Sequence, residues 1–253
     1  MTTSQQRHAL VVHGDYAYTI GGEFGNESLE RLHKTKLDKW EEISEMKEIR
    51  LNCPAVLHGD NIYVISGNYP NQMYSTKFSV EIYDIKNNKG GKSTTMRQSQ
   101  TYHSAVVVGD KIYVMGGQDE SFLELQSTEV FDTITKIWLS SPDMPKPLSN
   151  FNAVAVGKFI FEKGYKHYDA SMVSFVFDVD LYQWIHIQNN LMNQPQYYHA
   201  AVVLEKDDTL FAFGGARGTI PLDSVKYVKF GKLTRGIFLD SPPINDIQYH
   251  KKK

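Results

Sequence analysis

The phrase YVMGGQ (113–118) recurs as YTIGGE (18–23), YVISGN (63–68) and FAFGGA (211–216), with a worn copy at FEKGYK (161–166). Aligned on the first glycine or its replacement, the copies fall at Gly21, Ser66, Gly116, Gly164 and Gly214, spaced by 45, 50, 48 and 50 residues. A fixed period of this length marks an array of one supersecondary unit, whose members bury their apolar faces against one another.

The rest of each unit repeats as well. His8, Cys53, His103, Phe151 and His199 each open a short apolar run: ALVV, PAVL, SAVVV, NAVAV and AAVVL. A Gly-Asp pair follows in three units (Gly14-Asp15, Gly59-Asp60, Gly109-Asp110) and suits a tight hairpin, because these residues tolerate positive φ. The second run ends in the double glycine. After a variable loop comes a third run, SVEIYD (79–84), STEVFD (127–132), SFVFD (174–178) or SVKYV (224–228). Trp138 and Trp184 lie six residues beyond Asp132 and Asp178, and Trp40 holds that place in the first unit. Each unit thus reads as four short strands rich in Val, Ile, Tyr and Phe, bounded by turn residues. No segment sustains an apolar period of 3.6 residues, so the fold class is all-β.

The double glycine, the aromatic after the Gly-Asp turn and the spaced Trp together resemble the kelch family, from His8 to about Pro243. That resemblance implies a kelch-type β-propeller of four-stranded antiparallel blades. Its glycines let a strand end where a side chain would clash, and its Tyr and Trp pack between blades. The sequence predicts a single domain over 1–253, with repeats near 5–46, 50–96, 100–144, 148–192 and 196–243 and a tail at 244–253. Kelch propellers generally carry six or seven blades, whereas five repeats are visible here. The expectation is a closed five-bladed ring, since open blade edges leave unpaired backbone groups. INDIQY (244–249) is a candidate latch; missing blades supplied elsewhere, or dimerisation, are the alternatives. Several units depart from the pattern: Ser66 replaces a glycine, KNNKGGKSTT (86–95) lacks the Trp, Glu162-Lys163-Gly164-Tyr165 stands at the fourth double glycine, and GKLTRGI (231–237) replaces the fifth Trp. Those blades are expected to pack less tightly, or on different anchors.

Composition narrows the partners. Formal net charge is −2 with acids and bases interspersed, and the one like-charge run is Lys251-Lys252-Lys253, which predicts no nucleic-acid partner. One cysteine, Cys53, excludes an intramolecular disulfide and a Cys-based zinc site. The first residues lack a charged segment followed by an apolar core, and no apolar run reaches 18 residues, so neither a signal peptide nor a membrane span is expected. A cytoplasmic location follows as the expectation.

Propellers place function on loop rims. The resemblance implies two loop sets: one after the double glycines, the other between one blade's outer strand and the next blade's inner strand. The second set holds Gln5, Arg50, Gln100, Leu148 and Gln196 at equivalent positions. With the aromatic residues of the first set, the predicted partner-binding rim is Arg50, Tyr69, Tyr74, Gln100, Phe122, Tyr165, Tyr168, Gln196, Tyr197 and Arg217, with Tyr198 beside them. Tyr and Arg dominate interface hot spots because they bury much area and still hydrogen-bond. About half of the tyrosines are instead expected to pack loops onto blades.

His8, His103 and His199 recur at one position, a repeat that packing alone explains; no carboxylate repeats beside them to orient the rings, and no metal or cofactor is predicted. Some kelch-type propellers are enzymes, including copper-radical oxidases that crosslink a Tyr to a Cys, but Cys53 sits on an inner strand. No nucleophile elbow, phosphate loop or paired-Glu arrangement is present. The function predicted is therefore a non-catalytic module binding a peptide or protein segment. The family's roles as ubiquitin-ligase substrate receptor or actin-associated scaffold are what the resemblance implies. Such roles usually come with a BTB or F-box domain, so this chain is expected to act alone, oligomerise or dock on an adaptor. The alternative is an enzyme or small-ligand binder using the central channel.

Overall fold

A computed structural model describes residues 7–22, 28–33, 40–69, 72–76, 78–163, 174–187, 200–204, 209–214, 216–217, 220–221, 225–229 and 249–250. The chain divides into two compact units, Met1–Asp143 and Met144–Lys253. Among the described residues there is no helix.

The first unit holds three four-stranded antiparallel sheets. The first is β1 (Ala9–His13), β2 (Tyr16–Ile20), β3 (Ser28–His33) and β4 (Trp40–Glu45), in that order. The second orders β5 (Ala55–His58) and β6 (Asn61–Ile65) beside β9 (Ser79–Asp84) and β10 (Lys89–Thr95), while β7 (Asn68–Tyr69) and β8 (Gln72–Thr76) form a separate ribbon. The third is β11 (Ser104–Val108), β12 (Lys111–Met115), β13 (Thr128–Asp132) and β14 (Ile137–Ser140).

The second unit holds two more sheets. One is β15 (Asn152–Val156), β16 (Phe159–Lys163), β17 (Ser174–Asp178) and β18 (Gln183–Ile187). The other joins β19 (Ala200–Leu204) and β20 (Thr209–Phe213) to β23 (Val225–Lys229) and β24 (Tyr249–His250), with β21 (Ala216–Arg217) and β22 (Ile220–Pro221) as a short ribbon. Tyr249 of the proposed latch thus lies in the outer strand of the fifth sheet, where it faces Lys226. Residues 231–237 and 244–248 lie outside the described residues, as does Gly164.

Among the described residues the repeat read from the sequence falls on the strands and turns of these sheets. His13 pairs with Tyr16 and Val108 with Lys111 across the Gly-Asp loops. Gly109 has φ +58 and open space around an added Cβ, so backbone conformation alone selects glycine there. The double glycine has a second reason. At Gly117 (φ +97) a Cβ would stand 2.6 Å from Thr101 O and 2.8 Å from His103 Cβ. That close approach lets the following chain run against the lead-in to the inner strand: Gly22 N donates to Arg50 O (3.0 Å) and Gly67 N to Gln100 O (3.1 Å). Asn52 N donates to Arg7 O and Tyr102 N to Asn52 O, which ties successive lead-ins together. Arg7, Asn52, Tyr102 and Asn150 hold one repeat position and all take positive φ.

Alternating strand faces build the core between sheets. Ala9, Val11, Tyr18 and Ile20 of the first sheet pack on Cys53, Ile62, Val64 and Tyr83 of the second. Val56, Tyr63, Ile65 and Val80 then meet Ile112, Val114, Phe131 and Trp138 of the third. In the second unit Val156, Phe159, Phe161 and Val176 cluster with Leu210.

The two departures of the second unit rest on different anchors. Ser66, fully buried, takes the glycine's left-handed conformation (φ 53). Its hydroxyl donates to Gln100 O at 2.6 Å and accepts from Gln100 N at 3.1 Å. Where the second unit lacks Trp, Gly90 approaches Ser44 and Glu45, and β10 bulges between Lys89 and Lys92. A cavity of about 10 Å³ remains there, room for about one water molecule. In the third unit, by contrast, Trp138 packs on Phe131 (5.1 Å between centroids) and its indole donates to Thr94 Oγ1 at 3.1 Å.

Candidate functional site

Arg50 was expected on the exposed rim, and the structure corrects this: its side chain has no solvent exposure. Nη2 and Nε donate to Glu81 Oε1 at 3.0 and 3.2 Å. Nη1 donates to Ser66 O (2.9 Å) and Ser79 O (2.7 Å), and Nη2 also reaches Ser79 Oγ (2.7 Å). Glu81 in turn accepts from Lys47 N at 2.8 Å through Oε2. Nη2 also donates to Glu48 Oε2 at 3.4 Å, so the guanidinium spends its donors on three chain segments, at Glu48, at Ser66 and at Ser79 with Glu81, and presents none to a partner.

Gln100 is buried too, so it also leaves the rim. In the fourth unit both positions are apolar: Leu148 replaces the arginine and Phe175 the acid, and both are buried. Position, not charge, puts this set inside.

The other rim residues divide by element. Tyr69 is half-buried at the end of β7. Its neighbour Asn68, almost fully buried, accepts through Oδ1 from Asn52 Nδ2 (3.0 Å) and Thr101 Oγ1 (3.1 Å), so two lead-in segments brace the ribbon. Tyr74 lies on β8 and Arg217 on β21. Tyr165, Tyr168, Gln196, Tyr197 and Tyr198 lie outside the described residues, as does His199.

Phe122 is the rim residue that the structure leaves exposed among those whose side chains are described. It is 45% exposed, and Leu123, which the sequence pattern did not single out, is 64% exposed. Asp119 shapes this loop: its Oδ1 accepts from Ser121 N (2.8 Å) and Leu123 N (3.0 Å), while Asp119 N donates to Leu123 O (3.1 Å). Gln118 pairs with Thr101 on the lead-in, and Leu125 N closes onto Gly117 O at 2.9 Å. Phe122 takes φ 58, a conformation that costs a side-chain-bearing residue about 1–2 kcal/mol. A braced loop thus holds two adjacent apolar side chains in water.

His103 is the one strongly perturbed titratable group among the described histidines. Burial drives its pKa from the ordinary 6.5 down to about 3; the nearby Ile65 carbonyl pulls the other way, though neither ring nitrogen closes a well-formed hydrogen bond. It sits neutral against Gly117. Among the described residues no group of three or more His, Cys, Asp or Glu is assembled to hold a metal ion.

Comparison with known proteins places this architecture. The KLHDC2/KLHL20/DRC7 Kelch-repeats domain model matches residues 7–215. The chain belongs to the kelch-repeat family. Beta-scruin of Limulus polyphemus is 30% identical over 93 residues, 37% of this chain and 10% of the scruin. Kelch-like protein terF of Aspergillus terreus is 26% identical over 143 residues, 53% of this chain and 30% of that protein. Human Kelch-like protein 21 is 30% identical over 77 residues, 30% of this chain and 13% of its relative. The chain thus spans a tenth to a third of the length of these kelch relatives. Among solved structures, YjhT superposes with a TM-score of 0.70 at 17% identity, over 83% of this chain and 72% of YjhT. The fold is a kelch-type β-propeller of four-stranded antiparallel blades.

Proposed function

We propose that this kelch domain is a non-catalytic interaction module whose loop rim binds a peptide or protein segment, as a cytoplasmic scaffold or adaptor. The observation that carries this reading is the exposed Phe122-Leu123 pair on its Asp119-braced loop. An aromatic held rigidly in water loses little entropy on binding and removes much apolar surface when covered. Tyr69 on the braced β7–β8 ribbon extends the same rim through Asn68, whose contacts reach Thr101 beside Gln118. Tyr74 belongs to the same proposed rim, and Tyr165, Tyr168, Gln196, Tyr197 and Arg217 are the rim residues proposed for the second unit by itself. Arg50 and Gln100 are buried and are not part of the rim. Membership of the kelch family supports the interaction role.

The test is affinity capture with wild type and a Phe122→Ala/Leu123→Ala variant side by side. A partner bound by the wild type and lost from the equally stable variant supports the rim. A partner that ignores the variant overturns it.

A further inference from the structure

The lead-in to β11 keeps the backbone contact that the lead-in to β5 makes with a buried glutamate, but neither the arginine nor the Glu48 beside it recurs: Gln100 and Gln98 stand in their places. In the second sheet Lys47 N binds Glu81 Oε2, and the Arg50 guanidinium fills the space between Glu81, the Ser66 and Ser79 carbonyls and Ser79 Oγ. In the third sheet Arg97 N binds Glu129 Oε2 at 2.9 Å, and the pairings Val64–Glu81 and Val114–Glu129 put Gly116, Ser127 and Glu129 at the corresponding places. The arginine is replaced by Gln100.

The replacement leaves polar atoms stranded. Gln100 is 1% exposed, and neither its amide oxygen nor its amide nitrogen has a hydrogen-bond partner among the described residues. Ser127 Oγ is buried in the same condition. Glu129, 6% exposed, accepts from the Arg97 and Gln98 backbone amides but has no cationic partner among the described residues. The Arg97 guanidinium goes elsewhere, to Ser140 Oγ (2.6 Å) and Trp138 O (3.4 Å).

We propose that this niche binds a small monovalent cation: sodium, potassium or ammonium. Glutamine ends two bonds short of arginine, lacking its Cζ and both Nη atoms, so the place those atoms would take is smaller than a whole guanidinium group. By correspondence with the Arg50 site its wall supplies oxygens: the Gly116 and Ser127 carbonyls, Ser127 Oγ, the Gln100 amide oxygen and the Glu129 carboxylate. A ring of acceptors around one buried negative charge calls for a hard cation, which satisfies several oxygens at once and offsets the carboxylate's desolvation. A single carboxylate matches a single positive charge; a divalent ion draws on several.

Thermal unfolding of the full chain in sodium, potassium, ammonium and choline chlorides at one ionic strength tests this, choline being too large to enter. At least one small cation should raise Tm by about 2–4 °C over choline. Gln100→Arg supplies the missing donors from within, and should melt at or above wild type and lose the distinction between salts. Glu129→Gln keeps the shape without the charge and should lose it too. Equal melting in all four salts means the niche holds water only and overturns the proposal. So does a Gln100→Arg variant that still responds as wild type does. If Gln100→Arg fails to fold, the Glu129→Gln comparison decides by the same criterion.

Discussion

Arg50 and Glu81, 31 residues apart in the chain, form a buried ion pair in which the arginine side chain is fully covered and the glutamate 6% exposed, with Nη2 and Nε both on Oε1 at 3.0 and 3.2 Å. Breaking a buried pair by removing one partner leaves the other charge desolvated, at a cost of about 3–5 kcal/mol. Arg50→Leu should destabilise the chain on that scale. The fourth unit holds Leu148 and Phe175 at these positions, so adding Glu81→Phe should recover part of the loss. Denaturant midpoints of the two singles and the double give the coupling.

The same residue shows what the sequence made legible. Strands, turns and blade glycines were readable because each recurs at a fixed offset, and packing demands the same residue type in every copy. Phe122 was readable as an aromatic on a variable loop. Arg50 was not readable as buried: a lone arginine on a loop suggests a surface, and apart from Glu48 the groups that take its donors, Ser66, Ser79 and Glu81, lie 16 to 31 residues further along the chain. Leu148, at the equivalent position, was the one sequence signal that this set faces inward. Leu123 was missed because nothing in its neighbours' pattern separates an exposed leucine from a packed one.

Ser66 separates conformational strain from hydrogen bonding. Ser66→Ala keeps the left-handed backbone and loses both contacts with Gln100, so about 1–2 kcal/mol should be lost. Ser66→Gly loses the same contacts but relieves about 1 kcal/mol of strain. The glycine variant should therefore melt above the alanine variant.

Two glycines that look alike in sequence should respond differently. Gly109→Ala meets open space and carries only the backbone penalty, about 1–2 kcal/mol. Gly117→Ala adds a collision with the Thr101 carbonyl and His103 Cβ and should lose about 3 kcal/mol or more. Urea titration of both variants checks the order.

His103 makes stability depend on pH. Its pKa is about 3 when folded and ordinarily 6.5, so between those values the unfolded chain binds the extra proton. The contribution is fully present above pH 6.5 and is lost as pH falls towards 3, with a slope approaching about 1.4 kcal/mol per pH unit. His103→Phe, which copies Phe151 at the same repeat position, should flatten the unfolding free energy across this window. An unchanged slope would place the acid sensitivity on other groups.

We propose that the braced loop at Phe122 is where a partner segment binds. The direct measurement is the affinity of a captured partner for wild type, for Phe122→Ala/Leu123→Ala and for Arg50→Lys, each at matched folded fraction. The loop variant should weaken binding by at least about tenfold, as the loss of one aromatic hot spot implies, while the buried Arg50 variant changes stability and leaves the affinity of the folded fraction intact. Equal affinity for the loop variant and wild type, or an affinity lost only with Arg50, would contradict it.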